Sequence, residues 1–379
     1  MTKAILTSLL CLVFITKGTC QNSLVQKVTT TLSKQIIIDA NKAINEPPLT
    51  VTAYTSERSQ GGKHDFFSEG DYWWPDSLHP NGPYIQRDGL TNPQNFTAHR
   101  LAMIRFSKAV GTLTSAFLLT KNIKYSTAAI KHLNAWFIDT VTRMNPSLLY
   151  GQAITRKVSG RGIGIIDMIQ MIEVAQSVAV LEKQKLISST TLIAIKKWFS
   201  DYLTWVTTHP YGIEERDAKN NHGTCWTMQV AVFAKLVGDT SLLQYCTKRY
   251  NQVLLPGQMA SDGSFPLELK RTKPYGYSLF NLDAMTTLAF VLSLQKEAAI
   301  KKGIDFMFPF ITNKQNWPYQ KDVMYWEEWP VAHISLLFGA QAFNNNDWLN
   351  TWIKLEHFPK NEEVIRNTPI RNPLIWLNN

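Results

Sequence analysis

Four cysteines in 379 residues are too few for a disulfide framework, and two of them, Cys11 and Cys20, fall in the first twenty positions. No CxxC pair occurs, so zinc-ribbon spacing is missing, and no HExxH occurs, so the zinc-protease signature is missing too. Charged residues make up only 18% of the chain against 45% hydrophobic ones, which excludes a disordered chain and leaves enough apolar side chain for a sizeable core. Beyond the N-terminus no run reaches the ~18 uninterrupted apolar residues that suggest a membrane span. Acidic residues are the scarcer charge, 29 against 39 basic ones, for a formal net charge of +10. Such a surface attracts polyanions. Basic blocks, zinc fingers and an RNP-like motif are lacking, so the expected partner is an acidic polysaccharide and not nucleic acid.

What is present begins with "MTKAILTSLLCLVFITKGTC": Lys3, an apolar run from Ala4 to Ile15, then small residues at Gly18 and Thr19. That layout reads as a secretory signal over residues 1–20, cleaved near Cys20 and Gln21, and predicts a periplasmic or secreted protein. Lys17 stands where a lipobox has an aliphatic residue, so a lipid anchor on Cys20 is the weaker reading. Cys225 and Cys246 remain after cleavage, either paired or as free core thiols. No linker divides residues 21–379, which are expected to form one domain.

Helical periodicity dominates. In "AHRLAMIRFSKAVGTLTSAFLLT", Met103, Phe106, Val110, Leu113 and Phe117 recur at three- and four-residue steps. "GIGIIDMIQMIEVAQSVAVLEKQ" and "TLIAIKKWFSDYLTWV" read the same way, and further helices are predicted at 124–141, 221–237, 241–251, 279–296, 332–343 and 346–355. Consecutive helical pairs joined by irregular loops predict an all-α chain, an α/α toroid with long ordered loops lining a cleft. A solenoid is the rival, but no repeat of about 33–47 residues is visible. Residues 61–95, rich in Gly, Pro, Asp and aromatics, follow neither period and read as a long functional loop.

Four stretches carry candidate chemistry. "KNNHGTCW" puts Asn221 and His222 at the mouth of a helix whose apolar stripe is Trp226, Val230, Phe233 and Val237, where unpaired N–H groups favour anions. An N-cap role explains one asparagine but not the histidine. In "LELKRTKPYGYSLFNLDA", Arg271 and Lys273 precede Tyr275 and Tyr277, with a helix expected to start near Ser278; a phenol serves as base near neutrality only if cations or donors stabilise its anion. "EGDYWWPDSLHPNGPYIQRDG" offers the flat faces of Tyr72, Trp73 and Trp74 to pyranose rings and the Arg87 fork to a carboxylate, or else a mini-core for the loop. "GQAITRKVSGRGIGIID" offers Gln152 to a hydroxyl and Arg161 to a uronate; its GRGIG lacks the GxGxxG spacing and the GK[ST] ending of a phosphate loop.

Together "KNNHGTCW", "ELKRTKPYGYS", "GDYWWPD…PYIQRDG" and "GRGIGIID" resemble the alginate lyase superfamily of polysaccharide lyases. The likeness is closest to its glucuronan and alginate lyase branch (polysaccharide lyase family 38), more distant to family 5, and runs from about residue 66 to 335. The resemblance implies an α/α toroid and cofactor-free β-elimination of a uronic-acid polymer without a required metal. It places the Asn-His pair on Asn221 and His222, the arginine on Arg271 and the catalytic tyrosine on Tyr277, with Tyr275 left to substrate binding beside Tyr72, Trp73, Trp74, Arg87, Gln152 and Arg161.

The residue types suit the reaction. Removing H5 of a 1,4-linked uronate and expelling O4 requires the carboxylate to be neutralised while the C5 carbanion delocalises into it, a base, and a proton for O4. Asn221 and His222 are expected to meet the carboxylate, Arg271 to lower the Tyr277 phenol's pKa, and Tyr277 to act as base and then acid. Two rivals stand beside this: a glycoside hydrolase using two of Asp71, Asp88, Glu327 and Glu328, and a non-catalytic polysaccharide-binding protein, which would have lost the Asn, His, Arg or Tyr set.

Overall fold

The computed structural model describes the backbone of residues 2–378 and the side chains of residues 23–378. The predicted signal at 1–20 lies outside the residues whose side chains are described. The long helix α1 (Thr2–Ala43) turns one stripe inward, Leu24, Val28, Leu32, Ile36 and Ala40, at the four-residue step that keeps side chains on one helical face. It packs on α2 (Ala98–Thr120), which is followed by α3 (Ile123–Phe137), with Phe106 and Trp136 stacked 4.4 Å apart between the two. The chain continues through α4 (Met171–Lys183), α5 (Ser189–Thr208), α6 (Pro210–Arg216), α7 (Asn221–Val237) and α8 (Thr240–Arg249). Two one-turn helices follow, α9 (Leu255–Gln258) and α10 (Pro266–Leu269), then α11 (Pro274–Val291), α12 (Ala298–Thr312), α13 (Ile334–Phe343), α14 (Asn346–Lys354), α15 (Glu362–Asn367) and α16 (Pro373–Leu377).

Their packing is that of an α/α toroid. Helices α2, α4, α7, α11 and α13 touch in succession as an inner row, and α3, α5, α8, α12 and α14 back them from outside. Burial follows this order: α7 and α11 are apolar and enclosed almost all round, whereas α5 buries only the stripe Ile195, Trp198, Phe199, Tyr202, Leu203 and Val206. One hydrophobic cluster runs from Leu24 to Leu377. Residues Gly162–Lys183 are long and apolar enough to cross a membrane, but most of them are buried inside this fold.

Local chemistry sets the helix ends. Ser188 accepts from Thr191 N to cap α5, Asp239 accepts from Leu242 N to cap α8, and Gly238 ends α7 at φ +84°. Several boundaries differ from the sequence reading, and the helix predicted at 124–141 ends at Phe137. Helix α11 starts at Pro274, not near Ser278, because proline suits a first helical turn that needs no N–H there. It stops at Val291, before Ser293 takes φ +61°. Residues Gly162–Gln170 form a 3-10 segment ahead of α4 instead of α-helix.

Residues 61–95 are indeed irregular, with only β1 (Phe67–Glu69), β2 (Trp73–Trp74) and β3 (Ile85–Gln86); β1 pairs in parallel with β4 (Tyr150–Ala153), and β2 pairs antiparallel with β3. The glycines of GRGIG have a packing reason: a Cβ on Gly164 would sit 2.4 Å from the Gly151 carbonyl carbon, so the 3-10 segment closes on β4 only without a side chain. Cys225 and Cys246 are buried free thiols, and burial pushes Cys246 up to about 12.

Candidate active site

The first turns of α7 and α11 open into a cleft of about 580 Å³. Loop residues Asp71, Tyr72, Trp73, Gln86 and Asp88 line it from one side, and Gln152, Arg161, Ile163 and Ile166 from another. Arg271 and Tyr277 come from the α11 end, Glu214, Glu215, Asn221 and His222 from α6 and α7, and Glu363, Arg366 and Asn367 from α15.

The α7 wall consists of hydrogen-bond donors braced by buried acids. Asn220 is the N-cap residue but makes no capping bond through its side chain. The cap comes from afar: Glu268 in α10, fully buried, accepts the Asn221 backbone N–H at 2.7 Å and Asn221 Nδ2 at 2.8 Å. His222 Nδ1 lies 2.7 Å from Glu215 Oε1. Burial raises both carboxyls above their ordinary range, although their Asn221 and His222 partners pull the other way.

The α11 wall is a phenol set among cations. Tyr277 is buried, its hydroxyl 2.6 Å from that of Tyr72, with the Arg271 guanidinium 4.7 Å and the Lys273 ammonium 5.3 Å from its ring centre. Contrary to the expectation that Arg271 lowers the pKa of this phenol, burial holds Tyr277 well above the ordinary phenol value, reinforced by Tyr72 and only partly offset by Lys273 and Arg271. Burial therefore favours the neutral phenol of Tyr277.

A buried ionic lattice supports that wall. Lys273 donates to Glu363 at 2.5 Å, and Arg366 bridges to Asp71 at 2.5 Å and Asp167 at 3.3 Å; Arg100 forks onto Asp71 at 3.0 and 2.5 Å. Burial opposes the Asp71 charge, but Arg100 and Arg366 hold its carboxyl well below the usual carboxylate range. Asp322 accepts the N–H groups of Tyr275 and Gly276, each at 2.9 Å, anchoring the first turn of α11; burial raises it to about 6.

Of the residues singled out in the sequence, Asn221, His222, Arg271, Tyr277, Tyr72, Trp73, Gln152 and Arg161 converge on the cleft. Arg161 Nε donates to Gln152 O at 2.7 Å, and its guanidinium lies 5.6 Å from the Trp73 ring centre. Three others do not line it. Tyr275 is fully buried against Trp317 and Trp326 and donates to Phe310 O, because two residues in a helix turn by about 200° and Tyr277 already faces the cleft. Arg87 is exposed beside Trp74, 5.5 Å from its ring centre, and Trp74 Nε1 donates to Leu90 O. Successive residues of an extended segment point to opposite sides, so Gln86 and Asp88 face the cleft and Arg87 does not. Sequence reasoning missed Glu215, Glu268, Asp322, Lys273 as a buried cation, and all of α15. The one signal for the two glutamates was their nearness to "NNH" and "KR".

The hydrolase alternative loses its acid pair. Asp71 is locked between two arginines, Asp88 pairs with Arg271 at 2.9 Å, and Glu327 and Glu328 are exposed outside the cleft. Asn95 of the "NFT" sequon is buried, donating to Gly70 O at 2.7 Å. Among the described residues no three His, Cys, Asp or Glu side chains gather as a metal-ligand set.

The family match and the structural likeness together make this α/α toroid a polysaccharide lyase of uronan polymers. The chain belongs to the alginate lyase family, whose model matches residues 50–317. It is similar to the crystal structure of an alginate lyase from Bacteroides ovatus, 29% identical, with TM-score 0.78 and coverage of 95% of this chain and 97% of that one. The fold is also that of alginate lyase A1-III from Sphingomonas species A1, 15% identical over 82% of this chain and 84% of that one at TM-score 0.52. A variant of A1-III in complex with a tetrasaccharide matches at 16% identity, TM-score 0.54, over 81% and 83% of the two chains. Among curated proteins none matches the sequence.

Proposed function

We propose that the cleft eliminates across C4–C5 of a 1,4-linked uronate in an acidic polysaccharide, with Tyr277 at the centre of the proton transfers. The observation that carries this reading is the buried Tyr277 hydroxyl in the cleft that Asn221 and His222 also line, with Arg271 against the phenol ring. Asn221 and His222 donate to the substrate carboxylate as charge develops there, the use of oriented donors that stabilises most. Arg271 and Lys273 stabilise the Tyr277 phenolate when it forms. In mannuronate and glucuronate, H5 and O4 lie on one side of the ring. Once the neutral Tyr277 phenol has given its proton to solvent, the phenolate takes H5, the electron pair forms the C4–C5 double bond, the C4–O4 bond breaks, and the new phenol returns the proton to O4.

A second reading concerns guluronate, where H5 and O4 are opposed. His222 then takes H5 and Tyr277 gives its own proton to O4. The raised phenol favours this division of labour, because Tyr277 rests in the form an acid needs.

The test is the ultraviolet absorbance of the conjugated 4,5-unsaturated uronate, with chelator present, on β-1,4-glucuronan, polymannuronate and polyguluronate side by side. A rise on any of them with chelator supports metal-independent elimination, and the preferred polymer separates the two readings. No rise on all three from folded protein overturns the assignment to these uronans.

A further inference from the structure

The His222 ring is held from behind by a carboxylate that has no other hydrogen-bond partner among the described residues. Glu215 is 2% exposed, and its Oε1 lies 2.7 Å from His222 Nδ1. No arginine or lysine is hydrogen-bonded to it among the described residues. Its ionisable neighbours are mostly neutral or of like charge: Glu214 beside it in α6, Asp167 in the 3-10 segment, Tyr202 in α5 and Cys225 in α7, with Arg161 acting only through space. A buried carboxylate is costly unless a partner compensates it, and the partner within hydrogen-bond reach is the imidazole. The opposite ring nitrogen, Nε2, makes no hydrogen bond among the described residues, while His222 itself lines the cleft.

We propose that Glu215 is a positioning residue for the elimination: it keeps a proton of His222 on Nδ1, leaves Nε2 as the nitrogen that meets the uronate, and compensates the ring's charge whenever Nε2 is protonated as well. An anion behind an imidazole does both in hydrolytic triads, where replacing it by a neutral amide leaves the geometry but allows the wrong tautomer. The inference rests on the role given above to His222. It adds a requirement that His222 alone does not meet: with Nδ1 protonated, neutral Nε2 is the bare nitrogen that a base needs, and donation to the carboxylate requires a second proton on Nε2, whose charge Glu215 balances.

Two measurements on the full chain test it. Nitrogen-15 NMR of histidine side chains, with His222 assigned by the loss of its signals in His222→Ala, is expected to show Nδ1 protonated and hydrogen-bonded in the wild-type protein and a changed tautomer balance in Glu215→Gln. Steady-state rates on the best of the three polymers are expected to fall by about tenfold or more in kcat for Glu215→Gln, with KM within about threefold. A wild-type ring carrying its proton on Nε2, or a folded Glu215→Gln protein with wild-type kcat, overturns the proposal. If Glu215→Gln fails to fold, the wild-type tautomer still decides for or against it. Absence of elimination by the wild-type chain on every uronan overturns the proposed reaction instead, and the catalytic role of Glu215 falls with it even where the NMR finds Nδ1 protonated.

Discussion

The two walls of the cleft are electrostatic opposites. At the start of α7 the side chains lining the cleft are Asn221 and His222, and their hydrogen-bond partners are anionic, Glu268 and Glu215. At the start of α11 the group lining the cleft is the Tyr277 phenol, and what stands beside it is cationic, Arg271 and Lys273. On the proposed reading, the anion behind His222 matches an imidazolium and the cations beside Tyr277 match a phenolate. Both walls share one construction device: a carboxylate from elsewhere in the chain accepts the first N–H groups of the helix, Glu268 for α7 and Asp322 for α11. A helix N-terminus is where such an anion is best placed.

The comparison breaks most sharply at Tyr277. Tyr277→Phe keeps the ring and its packing but removes the proton carrier, so turnover is expected to fall by at least about a hundredfold with the melting temperature little changed. Near-wild-type rates in a folded variant would remove the phenol from the mechanism. Arg271→Lys keeps a cation on the same wall but gives up the fork that holds Asp88 and lies over the phenol; a loss of about ten- to a hundredfold in kcat/KM is expected.

On the opposite wall, Glu268→Gln replaces one acceptor oxygen by a donor that confronts the Asn221 amide. An unsatisfied buried donor costs about 1–3 kcal/mol, so a drop of about two- to tenfold is expected in kcat if half of that appears in the transition state. Comparing the rates with thermal melts separates this from simple unfolding. Asp322 gives the smallest effect and a pH signature. Its folded pKa, about 6, lies above the unfolded value, so the folded state binds the extra proton and gains stability as pH falls from about 6 towards 4. Asp322→Asn should remove that component, seen as a smaller difference between melts at the two ends of that window.

Much of this arrangement was legible in the chain because it is local. The stripe Trp226, Val230, Phe233 and Val237 marks α7, and the observed helix spans the predicted residues 221–237. Asn221, His222, Arg271 and Tyr277 stand in short motifs and reach one cleft. What was illegible is mostly long-range. Asp322 reaches Tyr275 across 47 residues, and Arg366 reaches Asp71 across 295, with no periodic pattern linking either pair. Tyr275 was misread for a local reason: with the helix start misplaced, two tyrosines two positions apart both looked available, whereas a helix beginning at Pro274 sends them to opposite sides. The phenol's pKa was misjudged because charge is visible in sequence and burial is not.

The contribution of α15 bears on how the molecule is made. Glu363, Arg366 and Asn367 line a cleft whose other walls come from residues 71–280, and Arg366 and Glu363 neutralise Asp71 and Lys273 within it. A chain emerging from the ribosome in order can assemble every motif of the reaction and still hold Lys273 without its counter-ion and Asp71 with only one of its two arginines. The cleft reaches its final charge state only after residue 367 has been delivered, so a segment made some ninety residues after the Arg271–Tyr277 motif acts as the keystone of the cleft.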